Sequence, residues 1–389
     1  MRLTTTLVRV AEVLPQDIAN SESGVVGGGT AGITIASRLA EDPSVSVAII
    51  EAGGFYEVDN GNYSVLPGLY PYSPFLATTV SYPQQPLMDW GLISVPQTGA
   101  QNRRIHYAQG KTLSGSSALN AMAYHRGTIG GYQWWANLTA DESYTFQSLL
   151  PYFRKSCTFT APNDAKRRIP NATVKYDSSA FSAAGGPLHV SYSNWVDPAL
   201  TWFQRAFTAI GLPVSDAGFN SGSLLGQTAW IPSTIDPLTG ERSSSQTSFL
   251  EQAIANTNLI VYTQAQATKI LFKSAVASGV VVATNGVPYT ITAGKEVIIS
   301  AGVFHSPQLL MLSGNALWIA YPASRRLPYH FRYRAASNSG KIFHPCALRS
   351  GGCRSKFMGP TAVQRRQRGR HPCPGTIPNR TAKDCHSHL

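Results

Sequence analysis

No stretch of this 389-residue chain approaches the roughly eighteen consecutive apolar residues of a membrane-crossing helix, so no span of that kind is expected. Cysteine is scarce. Cys157 is the only one in the first 314 residues, which excludes a disulfide scaffold there. Cys346, Cys353, Cys373 and Cys385 are spaced by 7, 20 and 12 positions, unlike the paired C-x-x-C of a zinc site, and no metal is expected. Acidic residues are almost missing from residues 315–389, which hold 14 of the 32 Lys and Arg against one acid, Asp384, for a charge of +13. The first 314 residues hold 18 basic and 19 acidic side chains, or −1, so the whole-chain +12 belongs to the tail. Gln364 to Arg370 reads as a basic arm, but nucleic acid is not the expected partner.

Arg9 and Glu12 interrupt the apolar run that follows Met1-Arg2-Leu3, which argues against a working signal peptide, and localisation is left open. Asn-x-Ser/Thr triplets at Asn62, Asn137, Asn171 and Asn379 would matter only in a secreted chain.

Glycine, by contrast, is concentrated where it is informative. Val25 and Val26 lead into Gly27-Gly28-Gly29-Thr30-Ala31-Gly32, a helix-compatible stretch runs to Glu41, and a second strand, Val45 to Ile50, delivers Glu51. G-x-G-x-x-G between strand and helix lets the backbone approach a pyrophosphate, whose charge sits at the helix N-terminus. An acid about twenty residues on accepts hydrogen bonds from a ribose diol, which favours FAD or NAD over NADP. Ser21-Glu22-Ser23-Gly24 leaves only Val25 and Val26 as convincing first strand.

The remaining pattern is mixed. Residues 54–105, rich in Pro, Tyr and Gly, read as a long irregular excursion. Helices are expected at 140–156, 202–210 and 246–256, and short strands at 259–263, 269–272, 276–282 and 289–292, which suit an antiparallel element. Glu296 to Gly302 reads as a buried parallel strand and Ser306 to Leu312 as a helix, so the chain is expected to leave the nucleotide domain near residue 52 and to return near 295.

A second cluster lies at Gly110-Lys-Thr-Leu-Ser-Gly-Ser-Ser-Ala-Leu-Asn120-Ala-Met-Ala-Tyr124. Its small residues expose backbone N–H groups and hydroxyls suited to phosphate oxygens, and Asn120 offers both donor and acceptor to a heteroaromatic edge. Residues 106–126 as a whole are expected to form a small-residue loop leading into a short helix.

Taken together, these motifs resemble the glucose–methanol–choline (GMC) oxidoreductases, closest to fungal aryl-alcohol-oxidase-like members. The resemblance rests on Val25 to Gly32, Glu51-Ala-Gly53, Asp89-Trp90, residues 110–120, Gly240 to Ser245, Ser248 to Leu250 and Ser306 to Gly314. Ser114 stands where the family signature has glycine. The resemblance implies an α/β fold: a Rossmann-like FAD-binding domain over 24–314, with partial α+β substrate-domain elements at about 160–250 and an antiparallel sheet. It implies that Gly27, Gly29, Thr30, Ala31, Gly32 and Glu51 hold the ADP half of FAD. Trp90, Thr112, Gly115, Ser116, Asn120, Ala121, Met122 and Ala123 would line pyrophosphate and flavin, and Ala267 would offer a backbone contact to adenine. It implies hydride transfer from an alcohol to flavin, then electron transfer to oxygen or another acceptor, in a monomer.

From Asn315 onward no family feature follows. Residues 1–23 are divergent, and 315–389 read as a basic, disordered tail without the family's active-site histidine. No catalytic residue is assigned, and a chain of this sequence is expected to be inactive toward alcohols. An NAD-dependent enzyme, a non-catalytic or misfolded FAD-binding remnant and a nucleic-acid binder are the alternatives.

Overall fold

The computed structural model describes residues 19–72, 85–274 and 276–314. The tail with its histidines and cysteines, the divergent segment up to residue 18 and Asn379 lie outside the described residues.

β1 (Ala19–Val26), α1 (Thr30–Leu39) and β2 (Val47–Ile50) form the expected β-α-β unit. β1 is longer than its composition suggests. It pairs in parallel with a later strand along nearly its whole length and with β2 through Ser23 to Val26. Ladder bonds on both sides hold the polar half extended, and the small Ser21 and Ser23 are buried without crowding. The Glu22 amide donates to Ser46 Oγ at 2.9 Å, and its carboxylate meets Lys295 Nζ at 2.9 Å.

The excursion that follows contains two single-turn helices, α2 (Tyr56–Asp59) and α3 (Asn62–Val65), and a two-stranded ribbon of β3 (Leu92–Ile93) and β4 (His106–Tyr107). Next come α4 (Ile129–Thr139), α5 (Phe146–Ser156), β5 (Cys157–Phe159), β6 (Leu188–Val190) and α6 (Pro198–Ala209). Side-chain caps from Thr128, Thr145 and Asp197 start the three longer helices. The small-residue loop expected over 106–126 does lead into a helix, α4. Gly115–Ala118 forms one 3-10 turn, Met122 adopts φ +59°, Ala123 bridges to Ser233, and helix resumes only at Ile129.

A π-helical turn, Gln246–Leu250, continues into α7 (Glu251–Asn256). Then follow β7 (Ile260–Tyr262), β8 (Ala265–Lys273), β9 (Val276–Thr284), β10 (Val287–Ile299) and α8 (Gly302–Leu312). The sheet order is β7-β2-β1-β10-β9-β8. β7, β2, β1 and β10 run parallel, and β9 and β8 add an antiparallel edge. Two sequence expectations change. The strands expected at 289–292 and 296–302 are one strand, β10, which ends at Ile299; it pairs with β9 through Val287 to Thr292 and with β1 from Ile291 to Ile299. The chain also rejoins the nucleotide sheet at β7, ahead of residue 295, because β7 pairs with β2.

Alternation along the central strands builds the two faces of the core. Val25, Val47 and Ile49 pack with Ile33 and Ala36 of α1, Leu113, Leu250 and Val261. Val26, Ala48 and Ile50 pack on the other face with Tyr262, Ile270, Val282, Ile291 and Leu309 of α8. The carboxyl ends of β1, β2 and β10 thereby meet at one edge, where a parallel sheet of this kind places ligands.

Candidate functional site

At that edge a cleft of about 360 Å³ opens between the glycine turn, the 110–116 loop, the start of β8 and the start of α8. The glycines shape it. A Cβ on Gly32 would lie 1.9 Å from the Gly27 carbonyl oxygen, so only glycine lets α1 lie this close to the turn. Gly115, at φ +53°, approaches Gly29 so closely that a Cβ would stand 2.8 Å from Gly29 Cα. The two loops thus touch through bare backbone. The N-terminus of α1 has no side-chain cap, and its first turn carries no acid. Its N–H groups and partial positive charge are left to an anionic ligand.

Glu51 sits at the end of β2, 6% exposed. Its Oε2 accepts from the Gly28 amide at 2.8 Å and its Oε1 from the Gly53 amide at 2.9 Å. Burial pushes its carboxyl up to about 7, against the pull of those amides and of Lys111. Each oxygen keeps a lone pair, so the group can also accept ribose hydroxyls.

Ser114 occupies the position where glycine is expected, and it does adopt a left-handed backbone, φ +78°. Hydrogen bonds hold it there. Its amide donates to Gly28 O at 2.9 Å, its Oγ donates to Ser244 Oγ at 2.8 Å, and it accepts from the Gln246 amide at 2.9 Å. The 240–246 segment is therefore a brace for the loop that faces the glycine turn.

Of the sequence-predicted residues, Gly27, Gly29, Thr30, Ala31, Glu51, Trp90, Gly115, Ser116 and Ala267 line the cleft. Six do not. Gly32 acts one layer behind, through the close approach just described. Thr112 is fully buried and donates from Oγ1 to Gly54 O at 3.0 Å. Met122 is buried, while Asn120, Ala121 and Ala123 are exposed beyond the cleft lining. Asn120 Oδ1 accepts from the Met122 amide at 3.0 Å and from Arg242 Nη1 at 2.9 Å. The buried Arg242 guanidinium in turn donates to Ser64 O, Ser117 O and Asn120 O.

Sequence reasoning missed Gln109, Ser300, Gly302, His305 and Gln308, which also line the cleft. The signals available were the proximity of Gln109 to Gly110 and of His305 to the Ser306-Pro307 motif. Asp89, of the Asp-Trp pair, organises this side from behind. Its Oδ1 accepts from the amides of Gly91 and Gln109, both at 3.1 Å, and its Oδ2 lies 2.6 Å from His106 Nε2. Among the described residues no group of three or more His, Cys, Asp or Glu could hold a metal ion, and no helix is long and apolar enough to cross a membrane.

The family model described as GMC oxidoreductase matches residues 22–317, and the chain belongs to this family. The chain is 52% identical over 294 residues to the glucose methanol choline oxidoreductase atC of Aspergillus terreus, a match covering 75% of this chain and 46% of that protein. Among solved structures, an FAD-dependent oxidoreductase from Chaetomium thermophilum superimposes with a TM-score of 0.67 at 33% identity, covering 76% of this chain and 48% of that one. A fungal aryl-alcohol oxidase shares the fold, with a TM-score of 0.64 at 24% identity, covering 82% and 55%. The chain spans slightly less than half the length of the curated relatives it matches. Family and fold make FAD the cofactor. The uncapped helix end, the touching glycines and the buried acceptor Glu51 fit a dinucleotide.

Proposed function

We propose that the cleft holds the ADP half of FAD, with Glu51 accepting from a ribose diol and the N-terminus of α1, Gly115 and Ser116 facing the diphosphate. The observation that carries this reading is the convergence of a buried carboxylate, an uncapped helix end and a second small-residue loop on one cleft. The second loop is more than a minimal dinucleotide unit requires, and it weighs against the NAD alternative. Bound flavin supplies a hydride acceptor, and the proposed donor is the carbon of a small-molecule alcohol, with oxygen or another acceptor removing the electrons. The Asn120 to Ala123 stretch remains a proposed flavin-side wall, and the proposed active form is a monomer.

Flavin content tests the cofactor half. The purified chain is expected to carry a yellow chromophore or to take up FAD. Glu51→Ala removes a charge-assisted acceptor worth roughly 1.5–3 kcal/mol, and FAD affinity is expected to fall about tenfold to a hundredfold. Equal affinity of wild type and variant would remove Glu51 from the site.

Turnover of alcohol needs more than flavin. Hydride leaves readily only as the hydroxyl proton is taken, and a placed base contributes roughly 10²–10⁴-fold. Of the described histidines, His106 is buried against Asp89, while His125 and His189 lie outside the cleft lining. His305 reaches the cleft, but its Nδ1 is engaged by Gln109. This chain is therefore expected to oxidise benzylic and aliphatic alcohols poorly even when loaded with FAD, assayed with oxygen and with a dye acceptor. Robust turnover would overturn this expectation.

A further inference from the structure

Gln109 and His305 lie 196 positions apart and meet in the cleft. Gln109 Nε2 stands 2.9 Å from His305 Nδ1 and 3.2 Å from the Ala301 carbonyl oxygen. The carbonyl decides the chemistry. It can only accept, so the amide must turn its NH₂ group toward it. That nitrogen also donates to Nδ1, which is then the bare nitrogen of a neutral ring. The ring proton is on Nε2. Burial of His305 lowers its basicity and favours the same neutral form. Trp90 lies against the ring, with centroids 4.2 Å apart and planes tilted by 35°.

Two further observations mark this as more than packing. Gln109 Oε1 is buried with no partner among the described residues, so the side chain is oriented by its nitrogen contacts at the expense of its oxygen. A Cβ on Gly302 would stand 2.7 Å from Gln109 Nε2, so glycine at the start of α8 makes room for the amide.

The neighbourhood identifies what a donor here would meet. The turn before α8 abuts the nucleotide glycines: a Cβ on Gly27 would lie 2.5 Å from Ser300 O and 3.0 Å from Ala301 Cα. That end of the cleft takes the phosphates and ribose of a dinucleotide, whose outward atoms there are oxygens.

We propose that Gln109 is a positioning residue that locks His305 in its Nε2–H tautomer, so that His305 donates to an oxygen of the cofactor's ribose–diphosphate chain. The proposal rests on the reading that the cleft takes FAD.

The test uses the full chain with ¹⁵N-labelled histidine, reading the tautomer from the Nδ1 and Nε2 shifts, together with FAD titration followed by flavin fluorescence. Wild type is expected to show a neutral His305 with its proton on Nε2 near neutral pH. Gln109→Glu places an acceptor opposite Nδ1 and is expected to move a proton there. Gln109→Leu is expected to mix the tautomers and to weaken FAD binding about twofold, because only the fraction of rings protonated on Nε2 can donate. His305→Phe keeps an aromatic ring beside Trp90 but removes the donor, and is expected to weaken FAD binding further, roughly threefold to tenfold, the worth of one neutral hydrogen bond. The double variant is expected to bind no more weakly than His305→Phe alone, since Gln109 acts through His305. A wild-type proton on Nδ1, or a Gln109→Leu loss that persists in the His305→Phe background, overturns the proposal. If wild type takes up flavin and Gln109→Leu retains it equally, the proposal falls and the FAD reading stands. If wild type takes up no flavin, the FAD reading falls and the proposed contact falls with it.

Discussion

Around the six-stranded sheet, Val25, Ile33, Ile49 and Val261 are sealed from solvent. In α4, α6 and the residue after α6, Trp134, Leu138, Trp202 and Ile210 keep 61–73% of their surface exposed. Both regions are rich in apolar residues, and α6, like α1, carries them with helical periodicity. They differ in what stands opposite. The sheet has α1 and the π-helical turn on one face and α8 on the other. Nothing among the described residues covers the outer faces of α4 and α6. Periodicity therefore reports that an apolar face exists, and only tertiary structure reports whether something buries it. The cleft belongs wholly to the first region, and substitutions can measure how far the two regions differ in rigidity.

The largest effect is expected at Gly32. A valine Cβ would overlap the Gly27 carbonyl oxygen at 1.9 Å; that oxygen is backbone and the Cβ position is fixed by its own Cα, so neither can swing aside. Gly32→Val is expected to lower stability by more than about 4 kcal/mol and to abolish FAD uptake. Urea unfolding of the soluble fraction is the measurement, and a midpoint like that of wild type would mean the turn and α1 are not packed this closely.

A smaller effect, from the same region, is set by pH. The Glu51 carboxyl is raised by burial to about 7 from a reference near 4.5. The folded chain therefore holds a proton that the unfolded chain has already released between these values. Stability is expected to fall as pH rises through that window and to level off above it. The total at this one site is about 3 kcal/mol in the absence of cofactor. Glu51→Gln carries no titrating group and is expected to flatten the drift between pH 5 and pH 8. Unfolding free energies at stepped pH give the comparison, and a drift of the same size in the variant would assign it to other groups. Ribose hydroxyls favour the ionised carboxylate, so FAD is expected to diminish the drift in wild type.

The glycine turn and Glu51 were legible in sequence because their spacing encodes steric and hydrogen-bonding needs that few other structures share. Ser114 shows the limit of reading residue by residue. It looks like a defect in a glycine-rich signature, yet Ser244 and Gln246 hold it in the glycine-like conformation. The polar half of β1 was hidden for a similar reason. Its extended form comes from two neighbouring strands, one of them β10, more than 250 positions away. Asn120 has the chemistry of a ring-edge partner, but Arg242 engages its oxygen. Gln109 and His305 carried no local signal of partnership, because their meeting depends on where β10 delivers α8.

Trp202 provides the smallest expected effect and the most direct test of the contrast. It is 66% exposed on α6, and its described neighbour is the Arg205 guanidinium, 4.9 Å from the ring centroid. An exposed cation–π contact is worth roughly 0.5–1 kcal/mol. Trp202→Ser is therefore expected to cost no more than about 1 kcal/mol, against roughly 2–5 kcal/mol for truncating a sealed core residue such as Ile49 to alanine. Removing exposed apolar surface is also expected to reduce self-association, seen as a lower light-scattering signal at equal concentration. The two readouts separate the explanations. A loss for Trp202→Ser as large as that for Ile49→Ala would mean that α6 is covered in solution. If the loss also grew with protein concentration, the cover would be a second copy of the chain, because burial by association stabilises according to mass action. A large loss independent of concentration would place the cover within the chain itself, and the contrast between the two regions would then disappear.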